Sequence, residues 1–249
     1  MKSTVLITTY RRAHLLKWGL TSLANKPVPP QTEFVVLNDG VEDKTEEICN
    51  SFKGRLDIRY IFTGKNKQHE WRVPGFAINY GVKQTDSDLL FIACAEMYHI
   101  GNTLEQMVAA LQEKPQRLTI PHGWDDNGKV LKALEAGEPV TRQMYTSLIP
   151  LHNVHLPFFM GMNRKDFEEI GGYDEDFLGC GWDDNDIVER MKLVGNVHHK
   201  VSSVVIHLWH QRLNFTAKGT QERFQQNQRL FNKRRSIPKR NTEREWGKL

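Results

Sequence analysis

Long apolar runs are missing from this sequence, and their absence excludes one class of protein. No stretch approaches the about 20 consecutive apolar residues that a membrane-spanning helix needs. The apolar run at residues 5–7 is too short for a secretory signal peptide, and no small-residue cleavage site follows it. We therefore expect this run to form a first β-strand in a chain without a membrane span.

Cysteine is scarce as well. The three cysteines, Cys49, Cys94 and Cys180, are odd in number and lie far apart. This spacing fits neither a disulfide framework nor a zinc ribbon. A reducing compartment is the simplest environment for such a chain, so a cytoplasmic location is predicted.

The common glycine-rich phosphate motifs are also absent. The chain has no Gly-x-Gly-x-x-Gly and no Walker A sequence, which removes support for the usual dinucleotide-binding and P-loop folds. Hydrophobic residues make up 39% and charged residues 26% of the 249 residues, as in an ordinary globular enzyme. We expect one domain with two functional halves, and a nucleotide ligand that is held in another way.

The first half of the chain alternates strand and helix signals, which is typical of a parallel sheet with crossover helices. The predicted strands are residues 4–9, 31–37, 58–62, 88–93, 117–121, 158–162 and 204–210. The predicted helices are residues 13–23, 44–52, 74–83, 103–113, 164–170 and 220–232. Residues 63–73 are predicted to be a polar loop, and residues 122–150 a mixed segment that forms a substrate-facing flap.

Polar side chains follow three of the predicted strands. Tyr10 and Arg12 come after the first, Asn38 and Asp39 after the second, and Glu96 after the fourth. In open α/β sheets, ligands bind at the carboxyl ends of the strands. The sequence therefore predicts a binding site at this edge of the sheet.

Residues 171–186, here called the acidic segment, hold the densest cluster of candidate residues. The segment contains four glycines, six acidic residues and three aromatic residues, and it runs into a predicted helix at Ile187. Glycines allow positive φ angles, and a helix dipole favours acidic groups in its first turn. Carboxylates held there can take a proton from a bound hydroxyl. A solvated acidic loop with a helix cap is the competing interpretation.

Basic residues gather at the C-terminal end, although the net charge of the chain is only +4. A basic tail of this kind either contacts phosphate, on a nucleic acid or a lipid surface, or is a frayed and solvated terminus. The residues concerned are Lys233, Arg234, Arg235, Lys239, Arg240, Arg244 and Lys248.

Three further motifs occur in order along the chain: Thr-Thr-Tyr-Arg-Arg at 8–12, Leu-Asn-Asp-Gly-Val-Glu-Asp at 37–43, and Trp-Arg-Val-Pro-Gly-Phe-Ala-Ile-Asn-Tyr-Gly at 71–81. With the acidic segment, they resemble the GT-A glycosyltransferases from residue 5 to about residue 209. The resemblance is to the family 2-like inverting enzymes, and the second half of the chain is similar to the galactosyltransferase-type acceptor segment.

This resemblance implies an α/β fold with a mostly parallel, Rossmann-like central sheet that is flanked by helices. A single GT-A domain is expected over residues 1–215, followed by a C-terminal helix and basic tail at 216–249. The domain is expected to have a nucleotide-sugar half, residues 1–100, and an acceptor half, residues 101–215.

A UDP-sugar donor is the ligand that the resemblance implies. Tyr10 is expected to stack on the uracil, Asp39 to accept a hydrogen bond from its ring N–H, and Arg12 and Arg72 to contact phosphate. The whole expected donor-binding set is Thr8, Tyr10, Arg12, Asn38, Asp39, Lys65, Arg72 and Asn79.

Two motifs depart from the family pattern. The metal motif Asp-x-Asp is Cys94-Ala95-Glu96 here, and the motif Ala-Arg-Asn is Ala-Ile-Asn at residues 77–79. Arg72 or Lys65 is a candidate to compensate for the lost cation. The expected ligands of a Mn²⁺ or Mg²⁺ ion are then Glu96 and His207, with His210 and His99 as substitutes. Imidazole and carboxylate together suit Mn²⁺ better than Ca²⁺.

Sugar transfer with inversion needs a carboxylate that takes the proton of the acceptor hydroxyl. The resemblance assigns this role to Asp184, and it assigns acceptor binding to Asp183, Trp182 and Gly181. Asp186 and its neighbour Asn185 are expected to start the helix and to support the site.

Three functions fit these observations. The first is a metal-dependent inverting glycosyltransferase that moves a sugar from a UDP-sugar to a hydroxyl acceptor, with a saccharide as the default acceptor. The second is a DNA-modifying glycosyltransferase acting on hydroxymethylated bases, which the basic tail and Trp124, Tyr145 and Trp209 allow. The third belongs to another class: an inactive GT-A module that binds nucleotide or glycan.

Overall fold

The computed structural model describes residues 1–64, 73–151, 158–212 and 217–248. Strands and helices alternate through the first half of the chain, and those predicted from the sequence are present with ends that differ by no more than one residue. The elements are β1 (Ser3–Thr9), α1 (Ala13–Ala24), β2 (Thr32–Asn38), α2 (Thr45–Phe52), β3 (Ile58–Phe62), α3 (Gly75–Lys83), β4 (Leu89–Cys94), β5 (Met97–Ile100) and α4 (Thr103–Glu113). The short strand β5 was not predicted.

The second half differs more from the prediction. Its elements are β6 (Arg117–Asp125), α5 (Lys129–Glu135), α6 (Arg142–Thr146), β7 (Ile149–Leu151), β8 (Phe159–Asn163), α7 (Arg164–Glu169), α8 (Asp183–Leu193), β9 (Val197–His207) and α9 (Lys218–Arg234). β9 begins seven residues earlier than predicted because its polar start is paired with β6. Within the described residues, no helix is both long enough and apolar enough to cross a bilayer.

The strands of the described residues form one sheet in the order β3-β2-β1-β4-β8-β6-β9-β5, and β7 pairs with β6 outside this order. β1 is parallel to β2 and β4, and β3 is parallel to β2. β8 runs antiparallel to β4 and β6, while β9 is parallel to β6 and antiparallel to β5. The sheet is thus parallel in its first half and mixed in its second.

Helices cover both faces of the sheet. Successive side chains of β1 alternate between the faces: Val5 and Ile7 pack in a core that includes Leu20 of α1, and Leu6 packs in a second core with Ile78 of α3. Burial of one such apolar side chain contributes about 1.5–3 kcal/mol to folding. The predicted α/β sheet with flanking helices is therefore confirmed.

The C-terminal residues pack back onto the acidic segment. The backbone amide of Arg240 donates to the carbonyl of Ile170 at 2.9 Å, and the ring of Trp246 lies 6.0 Å from that of Phe167, measured between centroids. Three arginines of the basic tail form ion pairs with aspartates of the acidic segment: Arg234, Arg240 and Arg244. The interpretation of this tail as a frayed terminus is therefore wrong for residues 234–247.

Gly161 is a packing constraint at the centre of the sheet, where β8 pairs with both β4 and β6. A Cβ atom at this position would lie 2.5 Å from the ring of Phe91 and 2.5 Å from Oγ1 of Thr119. We expect Gly161→Ala to lower the free energy of unfolding by about 1–3 kcal/mol, because the overpacked side chains must shift. Urea denaturation measures this difference.

Gly54→Ala is the matched control, since a Cβ atom at Gly54 meets no atom within 4 Å. Its stability should stay within about 0.5 kcal/mol of the unmodified protein. A Gly161→Ala variant as stable as this control would contradict the packing argument.

Candidate functional site

The carboxyl ends of β1, β2 and β4 lie side by side because β1 is parallel to both of its neighbours. Backbone hydrogen bonds continue beyond the strands: the amide of Asp39 donates to the carbonyl of Thr9 at 3.0 Å, and the amide of Ala95 donates to the carbonyl of Thr8 at 3.0 Å. The loops that carry the predicted polar residues therefore form one continuous edge.

Tyr10 and Asp39 form one end of this edge. A Cβ atom at Gly40 would lie 2.6 Å from Cδ2 of Tyr10, so the absence of a side chain lets the ring approach the backbone. The carboxylate of Asp39 is buried and accepts a hydrogen bond from the hydroxyl of Thr63 at 2.6 Å, while Tyr10 is 44% exposed. An exposed ring can stack on a base, and a fixed carboxylate beside the ring can accept a hydrogen bond from an N–H group of that base.

Three of the predicted donor-binding residues use polar atoms inside the protein. Thr8 donates to a carbonyl of β4 at 3.5 Å, and Nδ2 of Asn38 donates to the carbonyl of Val41 at 3.0 Å. Nδ2 of Asn79 donates to the carbonyl of Tyr173 at 2.9 Å, and Oδ1 of Asn79 accepts from the backbone N–H of Tyr173 at 2.8 Å. These residues shape the loops around the edge, and their contact with a donor stays a prediction.

Arg12 and Glu96 form an ion pair where β4 ends. Nε of Arg12 donates to Oε1 of Glu96 at 3.0 Å, and both side chains are more than two-thirds buried. Nε2 of His210 lies 3.7 Å from the same carboxylate oxygen, and burial lowers the pKa of this histidine below its ordinary range. The other two predicted cations, Lys65 and Arg72, lie outside the described residues.

His207 lies beside Glu96 because the sheet register sets it there. β9 pairs with β5 so that His207 is opposite Met97, the residue after Glu96. Nδ1 of His207 is 3.1 Å from Oδ1 of Asp125, which also pairs with Arg212. The hydrogen bond from His207, aided by the charge of Arg212, lowers the pKa of Asp125.

These residues provide a test of whether a divalent metal fits. A metal-binding histidine usually presents its other ring nitrogen to a carboxylate, and His207 does so toward Asp125. This leaves Nε2 of His207 and the carboxylate of Glu96 as the two predicted ligands, with Nε2 of His210 close by. No group of three or more His, Cys, Asp or Glu side chains among the described residues is arranged to hold a metal. Imidazole nitrogen and carboxylate oxygen are ligand atoms that fit Mn²⁺. In this structure the carboxylate of Glu96 is paired with Arg12.

Asp183 and Asp184 begin α8, close to the end of β4. The hydroxyl of Tyr173 donates to Oδ1 of Asp184 at 3.4 Å. Burial raises the pKa of Asp184 well above its ordinary range, and the charge of Asp183 adds to the effect. Burial also raises the pKa of the Cys94 thiol, and the negative charges of Glu96 and Asp184 raise it further. Both carboxylates therefore lie close enough to Cys94 to interact with it electrostatically. The candidate base therefore shares this end of the sheet with the candidate metal ligand.

The residues before α8 have an unusual backbone. Gly181 has φ of 78°, and Trp182 has φ of 73°, a left-handed conformation that is uncommon for a residue with a side chain. The ring of Trp182 packs against Phe231 and Phe224 of α9, with centroid distances of 5.2 and 5.7 Å. Acceptor binding by Gly181 and Trp182 stays a prediction, and the contacts described here fasten this turn to α9.

The remaining residues singled out in the sequence do not contribute polar groups to this cluster. His99 is buried with its ring edge against Phe159, and burial lowers its pKa to about 3, so it is a histidine of the core. Trp124 and Tyr145 pack in a hydrophobic cluster with α5, whereas Trp209 is 52% exposed. Two of the three aromatic residues behind the DNA interpretation are thus used in packing.

Sequence reasoning missed two residues of the site. Asp125 lies in the segment that the sequence predicts to be a flap and belongs to no motif, and only the structure shows that β6 continues to Asp125 and pairs it with His207. Tyr173 is one of the aromatic residues of the acidic segment, and the sequence predicts no role for it. The adjacent acidic pair Asp125 and Asp126 was the one available signal for the first, and nothing in the sequence marked the second.

The pKa of Asp183 generates a prediction about stability. Burial raises this pKa to about 6, against the pull of the backbone amides of Asp183 and Asp184. The folded protein therefore binds this proton more tightly than the unfolded chain does, and stability falls as the pH rises from about 4 to 6. We expect Asp183→Asn to raise the free energy of unfolding at pH 7.5 by about 1–3 kcal/mol. This gain in the free energy of unfolding should become smaller as the pH is lowered toward 4.

Asp176→Asn is a control with the opposite sign. Burial raises the pKa of Asp176, but hydrogen bonds from Arg234 and Arg244 outweigh it and hold the pKa below its ordinary range. This variant should lose stability at pH 7.5, measured by the same denaturation series. A destabilised Asp183→Asn at neutral pH would show that the burial argument is mistaken.

Comparisons with known proteins identify the family of this chain. A family model described as glycosyl transferase family 2 matches residues 4–171, and a model described as the N-terminal domain of galactosyltransferase matches residues 158–211. Validoxylamine A glucosyltransferase of Streptomyces hygroscopicus subsp. limoneus is 25% identical over 221 residues, which cover 77% of this chain and 48% of that protein. This chain thus spans about half the length of that relative.

Solved structures show the same fold. The structure of S. aureus TarS 1–349 in complex with UDP-GlcNAc matches with a TM-score of 0.65 at 17% identity, covering 90% of this chain and 64% of that one. GalNAc-T7 with UDP, GalNAc and Mn²⁺ matches with a TM-score of 0.60 at 16% identity, covering 85% of this chain and 44% of that one. Because the family 2 model matches more than half of the chain, this protein belongs to glycosyl transferase family 2, and it has the GT-A fold.

Proposed function

We propose that this enzyme transfers a sugar from a UDP-sugar to a hydroxyl group of a saccharide, with inversion at the anomeric carbon and with the aid of Mn²⁺ or Mg²⁺. The observation that carries this proposal is the shared edge of the sheet. A partly exposed aromatic ring and a fixed carboxylate lie at one end, and Glu96 and Asp184 lie near Cys94 at the other. The first end would bind the nucleoside, and the second end would hold the reacting atoms.

The donor half of the proposal rests on Tyr10 and Asp39. The ring of Tyr10, which is 44% exposed and has the guanidinium of Arg11 over it, stacks on the uracil. Asp39 accepts a hydrogen bond from the ring N–H with a carboxylate that Thr63 holds in place. Arg12 contacts the diphosphate, together with Lys65 and Arg72, which lie beyond the described ranges. The UDP-GlcNAc in the matched TarS structure supports a UDP-sugar as the donor.

Asp184 is the proposed general base. A base works best when its pKa lies near the working pH, and burial shifts Asp184 in that direction. The hydroxyl oxygen of the acceptor attacks the anomeric carbon, and its proton passes to the carboxylate of Asp184. The bond between the anomeric carbon and the phosphate oxygen breaks on the opposite face of the sugar, and UDP leaves with that electron pair.

The metal, when bound, would neutralise charge on the departing diphosphate. Glu96 and His207 would hold it, and Asp125 fixes the ring orientation of His207 through Nδ1. Arg12 already supplies positive charge at this place. A saccharide acceptor would contact Asp183 and the turn formed by Gly181 and Trp182.

A substitution of the proposed base tests the function. Asp184→Asn should lower turnover by about 10²-fold or more, because an amide cannot take the proton. Donor affinity should change little, since the nucleoside contacts are elsewhere on the edge. Turnover is measured as UDP release from UDP-glucose, UDP-galactose and their N-acetyl forms, and affinity by calorimetry with UDP.

Glu189→Gln is the matched control for Asp184→Asn. Glu189 is a half-buried carboxylate on the same helix, and it pairs with Lys192 at 2.7 Å. Its replacement should leave turnover nearly unchanged. Full activity of Asp184→Asn would remove this residue from the role of base.

Chelation tests the metal. Addition of EDTA should abolish transfer, and Mn²⁺ should restore it. Glu96→Ala and His207→Ala should each weaken the calorimetric affinity for Mn²⁺ by at least about 10-fold, as losses in metal sites typically do. His14→Ala is the control, because His14 is exposed on α1. Undiminished transfer in EDTA would rule out the metal.

A further inference from the structure

The C-terminal part of the chain makes an unusual set of contacts with the acidic segment. Residues 227–247, here called the C-terminal clamp, begin in the second half of α9 and continue along the acidic segment. Side chains of the clamp bond to the backbone or carboxylates of the acidic segment at both of its ends and at its centre. None of these contacts is explained by the chemistry that Asp184 performs.

Asn227 fastens the centre of the acidic segment. This buried side chain donates from Nδ2 to the carbonyls of Leu178 at 2.8 Å, Cys180 at 3.1 Å and Gly181 at 3.1 Å. Its Oδ1 accepts from the backbone N–H of Leu178 at 3.3 Å. One amide thus holds the turn that directly precedes Trp182.

Asn241 fastens the beginning of the segment in the same way. Its Nδ2 donates to the carbonyls of Gly171 at 2.8 Å and Tyr173 at 2.7 Å, and its Oδ1 accepts from the backbone N–H of Glu175 at 3.2 Å. Tyr173 is the residue whose hydroxyl donates to Asp184. The clamp therefore reaches the candidate base through a single intervening side chain.

Arg240 joins the two ends of the segment. Its Nε donates to Asp174 at 2.9 Å and its Nη2 donates to Asp186 at 2.9 Å, and all three side chains are buried. Asp186 also accepts from Nε of Arg190 at 2.6 Å. Because Asp186 lies in the same helical turn as Asp184, Arg240 fixes the start of α8 against the beginning of the acidic segment.

The backbone between these fixed points is strained. Trp182 is left-handed immediately before Asp183, and such conformations persist only where surrounding contacts over-determine them. We propose that the C-terminal clamp positions the acidic segment, so that Asn227, Arg240 and Asn241 are positioning residues for the carboxylate of Asp184. The part of this inference that concerns catalysis rests on the proposed function.

Two variants test the clamp. Asn241→Gly removes the amide and suits the positive φ of 54° at this position, so it leaves the backbone unstrained. Arg240→Gln removes the bridge between Asp174 and Asp186, and Asn241→Gly keeps the test open if Arg240→Gln fails to fold. Lys239→Gln is the control, because it changes an exposed charge beside Arg240.

The first measurement is hydrogen exchange, which needs no substrate. In folded Asn241→Gly and Arg240→Gln, backbone amides of residues 171–186 should exchange at least 10-fold faster, while those of β1, β2 and β4 stay unchanged. Unchanged exchange in the acidic segment would overturn the proposal. This result is independent of whether the protein turns over any nucleotide sugar, so a failure of the proposed function is recognised separately.

The second measurement separates positioning from general stability. At temperatures well below unfolding, kcat for UDP release should fall at least 10-fold in both variants, and the Kd for UDP should change less than 2-fold. The control should match the unmodified protein in both quantities. An equal loss of kcat and of UDP affinity would indicate a general structural role and would contradict a specific positioning of Asp184.

Discussion

The buried pairing of Asp174 and Asp186 with Arg190 and Arg240 is the interaction on which the second half of this chain depends. An isolated charge loses several kcal/mol when it leaves water, and the loss is tolerated only where opposite charges and hydrogen bonds replace the solvent. Arg190 satisfies this condition further by donating to the carbonyls of Ile170 and Gly172. The acidic segment and the end of the chain therefore stabilise each other.

The first turn of α8 contains carboxylates in two different environments. Asp186 has two arginine partners, whereas burial dominates the environments of Asp183 and Asp184 and raises the pKa of both. Strained and desolvated groups of this kind lower the stability of a protein, and they are commonly found where chemistry requires a reactive group. One turn of helix thus provides both an ionic attachment to the core and carboxylates whose pKa is raised by burial.

Sequence reasoning found the parts of the fold that depend on local pattern. The strand β1 and the turn at Asp39 were predicted because apolar periodicity and turn chemistry are local, and the parallel strand ends then bring Tyr10 and Asp39 together. The partner of His207 could not be predicted, because Asp125 reaches it only through the pairing of β6 with β9. The role of Arg240 was missed for a similar reason, since a cluster of cations has no periodicity that distinguishes buried arginines from solvated ones.

The short strand β5 has a consequence for how this protein can change in evolution. It starts directly after Glu96 and pairs Met97 with His207, so hydrogen bonds of the backbone set the spacing of the two candidate ligands. Side chains alternate between the faces of a strand, and a one-residue insertion in β9 would turn His207 to the opposite face. Substitutions can therefore retune the ligand types at this edge, whereas insertions and deletions within β5 or β9 should be eliminated by selection.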